Sequence, residues 1–399
     1  MLKSRGIWFI ILTSVLVTLA AGCSQRSEPS ARSNQLLLQL QLVFDDLDNA
    51  INEGKGYKDF LNSDGFPTGA LLAWSESYLM QAYAEMFQAT GDERYLDKLS
   101  DHVESVLRNR DDFRGQVDWK GDLAPAWGTD RYTKEGDWKH FAVHTGMITY
   151  PMLEFVQLVR EFGIDRLSDE AEAILVRVKE AVDYHDKEWV VQDLGFGLYT
   201  FPEDYYGRPN YICPLNQQAA MGRSLLLLWK LTGEERYRQK ATDIAAALKY
   251  SFQEDEQGAY VWGVNLGPPS HSNPVDDISH STITIHFVTL AHQAGIEFTA
   301  NDMEKITSTV KRLFSGGRVA RRIDGTGDYA YEIAAGQYAF LTPYDREIWK
   351  LSHDLLFEIY RVDLTAKYFQ EDWWGTVMLG IARLANNAKY IKVGGGSQR

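Results

Sequence analysis

The feature that most constrains the fold is a short turn that the chain uses twice, each time between two helix-like segments. Residues 90–95 read Thr-Gly-Asp-Glu-Arg-Tyr, and residues 232–237 read Thr-Gly-Glu-Glu-Arg-Tyr. In each copy the glycine is suited to ending one helix, and the acidic residue after it can cap the next. Weaker versions of the turn occur at residues 161–163 and 293–295. The chain is therefore predicted to consist of repeated helical hairpins, with a spacing too irregular for a short-period solenoid.

Apolar residues recur at helical spacing along most of the chain. The pattern predicts eleven helices, at residues 37–51, 71–89, from the turn at 90–95 to 108, 141–162, 168–187, 215–231, 234–251, 279–294, 300–314, 346–360 and 372–387. Four long aromatic loops separate the pairs, at residues 111–139, 188–213, 253–278 and 316–345. Loops of this length in a compact domain usually carry function. The predicted fold class is all-α, as one domain over residues 36–392 followed by a disordered tail at 393–399.

Charge and composition restrict the partners of such a domain. The 399 residues carry a formal net charge of −14, and no basic run occurs in the sequence. Because binding of a phosphate backbone needs clustered lysine and arginine, we predict no nucleic-acid partner. Hydrophobic residues make up 45% of the chain and aromatic residues 13%. That is ample for a large core, and the surplus of aromatic rings suits stacking against sugar faces.

The N-terminus has the layout of a targeting segment. Lys3 and Arg5 precede an apolar stretch over residues 7–21, which is too short for a comfortable membrane span. The sequence Leu-Ala-Ala-Gly-Cys at residues 19–23 resembles the lipobox of bacterial lipoproteins, in which the cysteine becomes the lipidated first residue. Ala20 stands where that pattern usually has leucine. An ordinary secretory signal is the alternative.

The lipobox resemblance implies a signal peptide over residues 1–22, lipidation at Cys23 and a flexible tether up to residue 35. The membrane would then be a partner through the lipid anchor, and the protein would lie in the cell envelope. Because Ser24 rather than aspartate follows the cysteine, the resemblance favours the outer membrane if the host is Gram-negative. Cys213 is the other cysteine of the chain, and we expect a buried, inert thiol there.

Paired helices joined by Thr-Gly-Asp-x-x-Tyr turns, with long aromatic loops between the pairs, resemble the (α/α) toroids of the six-hairpin glycosidase-like group. That group includes glycoside hydrolases, toroid polysaccharide lyases, the C-terminal part of glucuronyl C5-epimerases and the sugar 2-epimerases. The resemblance covers most of residues 36–390. It implies a ring of five to six helical hairpins whose long loops gather on one face, over a carbohydrate-binding cleft. It is specific for architecture and does not select one reaction.

The stretch Pro-Val-Asp-Asp-Ile-Ser-His-Ser-Thr at residues 274–282 predicts a helix start that carries chemistry. Asp276, Asp277 and Ser279 are all good N-cap residues. His280 would lie near the positive end of the helix dipole, which favours a neutral imidazole. A neutral histidine beside two carboxylates could act as a general base or hydrogen-bond donor. The alternative is that the aspartates only cap the helix and the histidine is a polar rim residue.

A second candidate stretch is Trp-Lys-His-Phe-Ala-Val-His-Thr-Gly at residues 138–146. His140 and His144 are four residues apart, so they are predicted to share one helix face. The spacing resembles a two-histidine metal pair, but phenylalanine stands where a zincin has its glutamate. A substrate-facing His144 is the interpretation we favour over metal binding, with Gly146 keeping the neighbouring surface open. A histidine bonded within the core is the alternative.

Two further stretches supply polar groups. The loop at residues 201–211 holds paired carboxylates, paired tyrosines and an arginine, namely Glu203, Asp204, Tyr205, Tyr206 and Arg208. The helix start at residues 214–223 opens with three amides, of which Asn216 and Gln217 could bind sugar hydroxyls or a carboxylate; Arg223 follows. The alternatives are a solvated loop and an ordinary helix wall. Trp262 and Trp373 are candidate aromatic platforms for substrate. For Trp373 the reason is that the adjacent tryptophans at 373–374 cannot both face the core.

Two kinds of cleavage fit these residues. Hydrolysis of a glycosidic bond needs two carboxylic groups, for which the candidates are Glu203, Asp204, Asp276, Asp277 and Asp328. Elimination on a uronate needs a group that neutralises the carboxylate and a His or Tyr that takes the neighbouring proton. The resemblance to toroid lyases implies those roles for Asn216, His144, His280, Tyr205 or Tyr206, and Arg208 or Arg223.

We favour elimination on a uronate-containing glycan, because the candidate loops offer more His, Tyr and Asn than isolated acids. The strongly negative chain counts against it, since a polyuronate would be repelled unless the cleft is locally basic. The alternatives are a glycoside hydrolase, a uronyl or sugar epimerase, and a surface lipoprotein that only binds glycans. The partner in every case is a polysaccharide or oligosaccharide. No cofactor is predicted, although a divalent cation among the aspartates stays open.

Overall fold

The computed structural model describes residues 31–57, 68–133, 136–201, 211–315, 318–328, 332–362 and 373–391. Within them lie eleven long helices: α1 Ala31–Ala50, α2 Ser77–Thr90, α3 Glu93–Arg108, α4 Ala142–Phe162, α5 Ser168–Tyr184, α6 Leu215–Thr232, α7 Glu235–Ser251, α8 Ile278–Gln293, α9 Ala300–Leu313, α10 Arg346–Val362 and α11 Trp374–Asn387. All eleven predicted helices are confirmed. The first of them begins at Ala31, inside the stretch that was predicted to be tether.

The helices form two concentric rings. The inner ring runs through α2, α4, α6, α8, a short segment over residues 332–341 and α11, and α11 packs back against α2 to close it. Each inner element pairs with an outer helix, and the N-terminal helix α1 supplies the partner of α11. The chain is therefore an (α/α)6 toroid of six hairpins, as the sequence predicted.

One of the six inner elements, the segment over residues 332–341, was missed. The sequence predicted a loop over residues 316–345, but Glu332–Ala335 is α-helical and Gly336–Leu341 is a 3-10 helix. Residues 333–341 are buried on all sides, between α8, α10 and α11. A short segment that is apolar all round shows no helical periodicity, so the pattern could not identify it.

The repeated turn has a repeated structural role. Gly91 and Gly233 end α2 and α6 with left-handed φ values of 70° and 74°, which a residue with a Cβ adopts only at a cost. Asp92 caps α3 by accepting a hydrogen bond from the Arg94 backbone N–H. The glycine ends and the acidic cap were both predicted.

The Arg-Tyr pair of each turn holds the neighbouring outer helix. The Tyr95 hydroxyl donates to Asp45 on α1 at 2.7 Å, and the Arg94 guanidinium donates to the other oxygen of that carboxylate at 3.0 Å. The second copy makes the same bonds with Tyr237, Arg236 and Asp183 on α5. The two near-identical sequence segments thus connect successive outer helices in the same way.

Short antiparallel strand pairs lie in the loops between hairpins. They are β1 Gly128–Thr129 with β2 Lys139–His140, β3 Trp189–Val191 with β4 Gly197–Tyr199, β5 Gln253–Glu254 with β6 Tyr260–Val261, and β7 Phe314–Ser315 with β8 Arg318–Val319. A short helix over Asp111–Arg114 precedes the first pair. None of the helices in the described part of the chain is long and apolar enough to span a membrane.

Candidate active site

A pocket of about 490 Å³ opens at the end of the toroid where the inner helices begin. Its size is within the range of small-ligand sites. Every inner element contributes to the wall near its N-terminus, with Trp74, His144, Asn216, His280, Gln337 and Trp373. The unpaired N–H groups of helix starts carry partial positive charge, so this end of the ring favours an anionic or oxygen-rich ligand.

Six of the residues predicted from sequence line this pocket together: His144, Asn216, Gln217, Asp277, His280 and Trp373. They come from four different inner helices or their first turns, so the ring closure is what brings them together. The helix before α2 is π-helical over Leu72–Glu76 and places Trp74 and Ser75 on the wall. Such π-helical turns are frequent at functional sites. The roles assigned to the six residues stay predictions.

Other predicted residues lie elsewhere. Asp276, Trp262 and Arg223 are buried beside or beneath the pocket and do not line it. Asp328 is exposed and also lies away from the pocket wall. The remaining candidates fall outside the residues that the structure describes, namely Cys23, Glu203, Asp204, Tyr205, Tyr206 and Arg208.

Asp277 is the N-cap of α8. Its Oδ1 accepts hydrogen bonds from the backbone N–H groups of Ser279 and His280 at 2.9 and 3.1 Å, and from the Ser279 hydroxyl at 2.6 Å. The β-branched run at residues 282–285 continues this helix rather than forming a strand. Because the cap fixes Asp277 Oδ1, its other oxygen is left to face the ring of His280.

His280 is held between two carboxylates and reaches into the pocket. Its Nδ1 lies 3.2 Å from Asp277 Oδ2 and 3.5 Å from Asp276 Oδ1, and 43% of its side chain is exposed. Burial opposes protonation, but the two carboxylates outweigh it and raise the pKa of His280 to about 10. The prediction of a neutral imidazole was therefore wrong, because two carboxylates within ion-pair distance outweigh the helix dipole.

Asp276 and Asp277 differ in burial and in the direction in which their pKa values are shifted. Burial raises the pKa of Asp276, which is 1% exposed. Asp277 is also partly buried, but its contacts with His280 and its hydrogen bonds from Ser279 and the helix N–H groups lower its pKa overall. Asp277 is therefore the firmly ionised member of the pair and the one that lines the pocket.

Trp262 was predicted to be a sugar platform, and the structure contradicts this. The residue is fully buried, and its ring packs against Phe252 with 4.6 Å between centroids. Its indole Nε1 donates a hydrogen bond to Asp276 Oδ2 at 3.0 Å. Trp262 directly follows β6, and its side chain is part of the core behind the site rather than a platform for substrate.

His144 lies on α4 in an aromatic surround. The rings of Trp74, Phe141 and Tyr132 lie 5.4 to 6.0 Å from it, centroid to centroid. It is 1% exposed, and among the described residues its Nδ1 has no hydrogen-bond partner. Burial, and then the positive charges of His185 and Arg131, lower the pKa of His144 to about 3. This histidine is therefore neutral at ordinary pH, in contrast to His280.

His140 does not share a helix face with His144, as had been predicted. Helix α4 begins after Phe141, and His140 belongs to β2, where its Nε2 lies 2.8 Å from Asp111 Oδ2. Within the described ranges no group of three or more His, Cys, Asp or Glu side chains is arranged to hold a metal ion. The helical i,i+4 arrangement of a two-histidine metal pair is not formed, because the helix starts after the first histidine.

Gly146 serves packing rather than pocket access. A Cβ at this position would lie 2.5 Å from the backbone nitrogen of Met221. The glycine therefore lets α4 and α6 approach closely, and the prediction that it keeps the surface open was wrong. The close approach also positions the first turns of both helices, which carry His144 and Asn216, on adjoining parts of the wall.

Arg223 lies in a buried polar network below the pocket and cannot be a wall residue. It is 1% exposed and donates to Gln81 Oε1 at 3.3 Å and to Met147 Sδ at 2.9 Å. His286 Nδ1 lies 3.3 Å from the same guanidinium and 3.1 Å from that of Arg383. Burial lowers the pKa of Arg223 to about 10. The prediction that Arg223 binds substrate in the cleft is therefore not supported by its position.

The three amides at the start of α6 divide between two faces. Asn216 and Gln217 line the pocket, and the buried Oε1 of Gln217 has no partner within the described part of the chain. Gln218 faces the other way, accepts from Tyr199 N–H at 3.0 Å and donates to the Tyr199 carbonyl at 2.7 Å. Cys213 nearby is buried and burial raises its thiol pKa, which confirms the predicted inert thiol.

Sequence reasoning missed several wall residues, among them Arg131, Tyr132 and Tyr78. Arg131 and Tyr132 come from the loop before β2, and Tyr132 has a left-handed φ of 72°, an uncommon conformation for a residue with a Cβ. Tyr78 comes from the first turn of α2, and burial raises its pKa to about 12. For Arg131 and Tyr132 the available signal was the length of the loop at 111–139, which was predicted to be functional without a choice of residues.

Solved structures resemble this chain over nearly its whole length. An inactive α-1,6-mannanase variant from Salegentibacter sp. HEL1_6, in complex with α-1,6-mannotetrose, has a TM-score of 0.54 at 15% identity over 88% of this chain and 99% of the mannanase. A D-mannose isomerase has a TM-score of 0.55 at 13% identity, covering 90% and 99% of the two chains. The likeness is one of fold.

A third similar structure is the cellobiose 2-epimerase from Bacillus thermoamylovorans. Its TM-score is 0.54 at 11% identity, over 88% of this chain and 99% of the epimerase. No protein-family model matches the chain, and no curated protein matches it significantly. The (α/α)6 toroid is therefore shown by the structure and its neighbours, whereas the reaction has to be argued from the pocket.

Proposed function

We propose that the protein is a carbohydrate-active enzyme that acts on a uronate-containing glycan by removing the proton next to the uronate carboxyl group. One observation carries the proposal. Two histidines line one pocket in opposite protonation states, with His144 neutral and His280 charged. A neutral imidazole can accept a proton and an imidazolium can donate one, which is the pair that general acid–base chemistry needs.

In the proposed elimination, His144 takes the proton from the carbon that carries the carboxyl group. The electron pair forms a carbon–carbon double bond as the bond from the neighbouring carbon to the glycosidic oxygen breaks. The leaving oxygen receives a proton from His280 or from Tyr78, both of which line the pocket in their protonated forms. The products are a new chain end and an unsaturated uronate, and atoms and charge balance without an added reactant.

The acidic sugar also suits the local charge of the pocket. Arg131 and His280 supply positive charge on the wall, and Asp277 supplies the negative charge that His280 offsets. The helix N-termini add further positive potential. A pocket that is locally basic removes the objection raised by a net charge of −14.

Epimerisation is a second candidate with its own supporting observation. His144 and His280 lie on different inner helices, α4 and α8, so they could approach the substrate carbon from different sides. Proton removal by one histidine and return by the other would invert the carbon without breaking the chain. Sugar epimerases are also among the proteins that share this fold.

Hydrolysis has weaker support from the geometry. The α-1,6-mannanase of similar fold is inactive as a variant with two consecutive aspartates replaced, and this chain has such a pair at Asp276 and Asp277. Hydrolysis requires two carboxyl groups that face the substrate. Among the described residues only Asp277 of this pair lines the pocket, since Asp276 is buried behind it.

The decisive experiment follows product chemistry with the purified full-length protein. Uronate-containing and neutral polysaccharides are incubated in parallel, and the ultraviolet absorbance of unsaturated uronate and the appearance of reducing ends are read together. We expect both signals to rise on a uronate glycan. Reducing ends alone would establish hydrolysis. Exchange of solvent deuterium into the uronate without either signal would establish epimerisation. If absorbance, reducing ends and deuterium exchange all stay unchanged, the proposal is overturned.

We also propose that the mature protein is held in the cell envelope by lipid on Cys23. The support is the resemblance of residues 19–23 to a lipobox and the apolar stretch before it. Replacing Cys23 by serine is expected to shift the protein from the detergent-soluble membrane fraction to the aqueous fraction and to abolish labelling by a radioactive fatty acid. Cys213→Ser is the matched control and should leave both unchanged. Unaltered labelling of Cys23→Ser would contradict the anchor.

A further inference from the structure

Behind the pocket, a buried tryptophan and a buried aspartate connect the loop at residues 253–278 to His280. We propose that Trp262 and Asp276 form a positioning arm that fixes the ring of His280 for proton donation. The inference rests on the proposed function only in giving His280 that role. Neither arm residue lines the pocket, so both would act through His280 rather than by touching substrate.

The contacts of Asp276 define the arm. Its Oδ2 accepts from Trp262 Nε1 at 3.0 Å, while its Oδ1 accepts from the Asp277 backbone N–H at 3.0 Å and lies 3.5 Å from His280 Nδ1. Both carboxylate oxygens are therefore engaged, each in a fixed direction. A carboxylate held in this way presents one oxygen to the imidazole at a constant position.

The arm is anchored by the backbone as well as by side chains. The Asp276 N–H donates to the Trp262 carbonyl at 3.1 Å, and the Ile323 N–H donates to the Asp276 carbonyl at 3.1 Å. Trp262 is 0% exposed and Asp276 is 1% exposed. A buried carboxylate is costly unless it is hydrogen-bonded and paired; here the indole and a backbone amide donate hydrogen bonds, and the imidazole lies within ion-pair distance. The geometry is therefore built to hold one charge beside His280.

The other titratable groups around the arm do not replace it. Tyr338, from the inner segment over residues 332–341, forms a 2.6 Å hydrogen bond with the Ser281 hydroxyl and donates to the Ile278 carbonyl at 3.2 Å. Burial raises its pKa, so it stays neutral. Arg321 and Arg322, in the loop that packs beside Asp277, are exposed at the surface. Asp277 is the second carboxylate near His280, and it is fixed independently by its role as helix cap.

The test compares two arm variants with a matched control. Trp262→Phe removes the indole N–H that Asp276 accepts, and Asp276→Asn removes the charge with little change of shape. Trp349→Phe is the control, because Trp349 is also buried and its Nε1 also donates one hydrogen bond, but to the Leu384 carbonyl away from the pocket. Histidine NMR titration of the full-length protein measures the midpoint of His280 without any substrate, and Tm is recorded for each variant.

We expect the His280 midpoint to fall by about 1 pH unit or more in Asp276→Asn, by less in Trp262→Phe and not at all in Trp349→Phe. The alkaline limb of the pH–kcat profile should move down with it, while KM changes little. If the variants have lower Tm values but the titration midpoint of His280 does not move, the proposed positioning role is rejected. If Trp262→Phe does not fold, Asp276→Asn decides alone.

The titration also separates this inference from the proposed function. A shifted His280 midpoint in a protein that changes none of the uronate glycans would keep the positioning arm and reject the reaction. Turnover of a uronate glycan with an unshifted midpoint in both arm variants would keep the reaction and reject the arm. Because one readout needs no substrate, the two conclusions stand or fall separately.

Discussion

Replacing His144 by glutamine is expected to reduce turnover of the uronate glycan by about 100- to 10,000-fold, the usual contribution of a general base. The side chain is buried among aromatic rings, and burial keeps it neutral and able to accept a proton over the range above pH 3. Glutamine has a similar size and is also uncharged, but it does not accept a proton at neutral pH. The loss should therefore appear in kcat, with KM and Tm changed little.

His271→Gln is the matched control for this variant. His271 is exposed in the loop before α8 and does not line the pocket, so the same substitution there should leave kcat unchanged. The measurement is the initial rate of unsaturated uronate formation for both variants, with circular dichroism to verify the fold. A His144→Gln protein that retains activity within a few-fold of the wild type would remove His144 from the reaction.

The second large effect is expected at Asp277, where a pair of substitutions separates charge from helix capping. Asn is as good an N-cap as Asp, so Asp277→Asn should keep the bonds from the Ser279 and His280 N–H groups and lose only the charge beside the His280 ring. Asp277→Ala loses both the charge and the capping hydrogen bonds. We expect kcat to fall about 10- to 100-fold in each variant, with an additional loss of about 1 kcal/mol in unfolding free energy for alanine alone.

The pairing of Asp277 with His280 also predicts the direction in which stability changes with pH. The folded-state pKa of His280 is raised to about 10 from its ordinary 6.5. Its contribution to stability is therefore fully present below pH 6.5 and is lost as the pH rises through about 10. Removing the Asp277 charge lowers that folded-state pKa, so Asp277→Asn should lose stability at a lower pH than the wild type. Thermal unfolding across this pH range measures it, and superimposable Tm curves would contradict the ion pair.

Capping and turn signals could be interpreted from sequence because they act within a few residues. Asp277 was one of three predicted cap residues of α8 and is the one that caps it, and the glycines of the repeated turn, Gly91 and Gly233, end their helices as predicted. The free energies involved depend on neighbouring backbone groups, which the local sequence specifies. The helical hairpins followed from the same signals, whereas their closure into a toroid was implied only by the resemblance to a known family.

The charge of His280 shows where a single local rule was insufficient. The helix dipole alone favours a neutral ring, but Asp276 and Asp277 both approach it within 3.5 Å and reverse the outcome. Both carboxylates are adjacent in sequence, so the residue types were visible. Which oxygens face the ring depends on the bond from Trp262, a residue that follows strand β6 and lies 16 positions before the start of α8.

By itself the sequence determined the helices, the turns and the residues at each helix start, because hydrogen bonding and periodicity along one element are local. Only the tertiary structure decided which helix faces meet in the pocket. Arg223 and Trp262 turned into the core, His140 fell outside its helix, and Arg131 and Tyr78 took places on the wall. Periodicity shows which residues share a face, but the direction of that face depends on packing between helices distant in sequence, which local patterns do not encode.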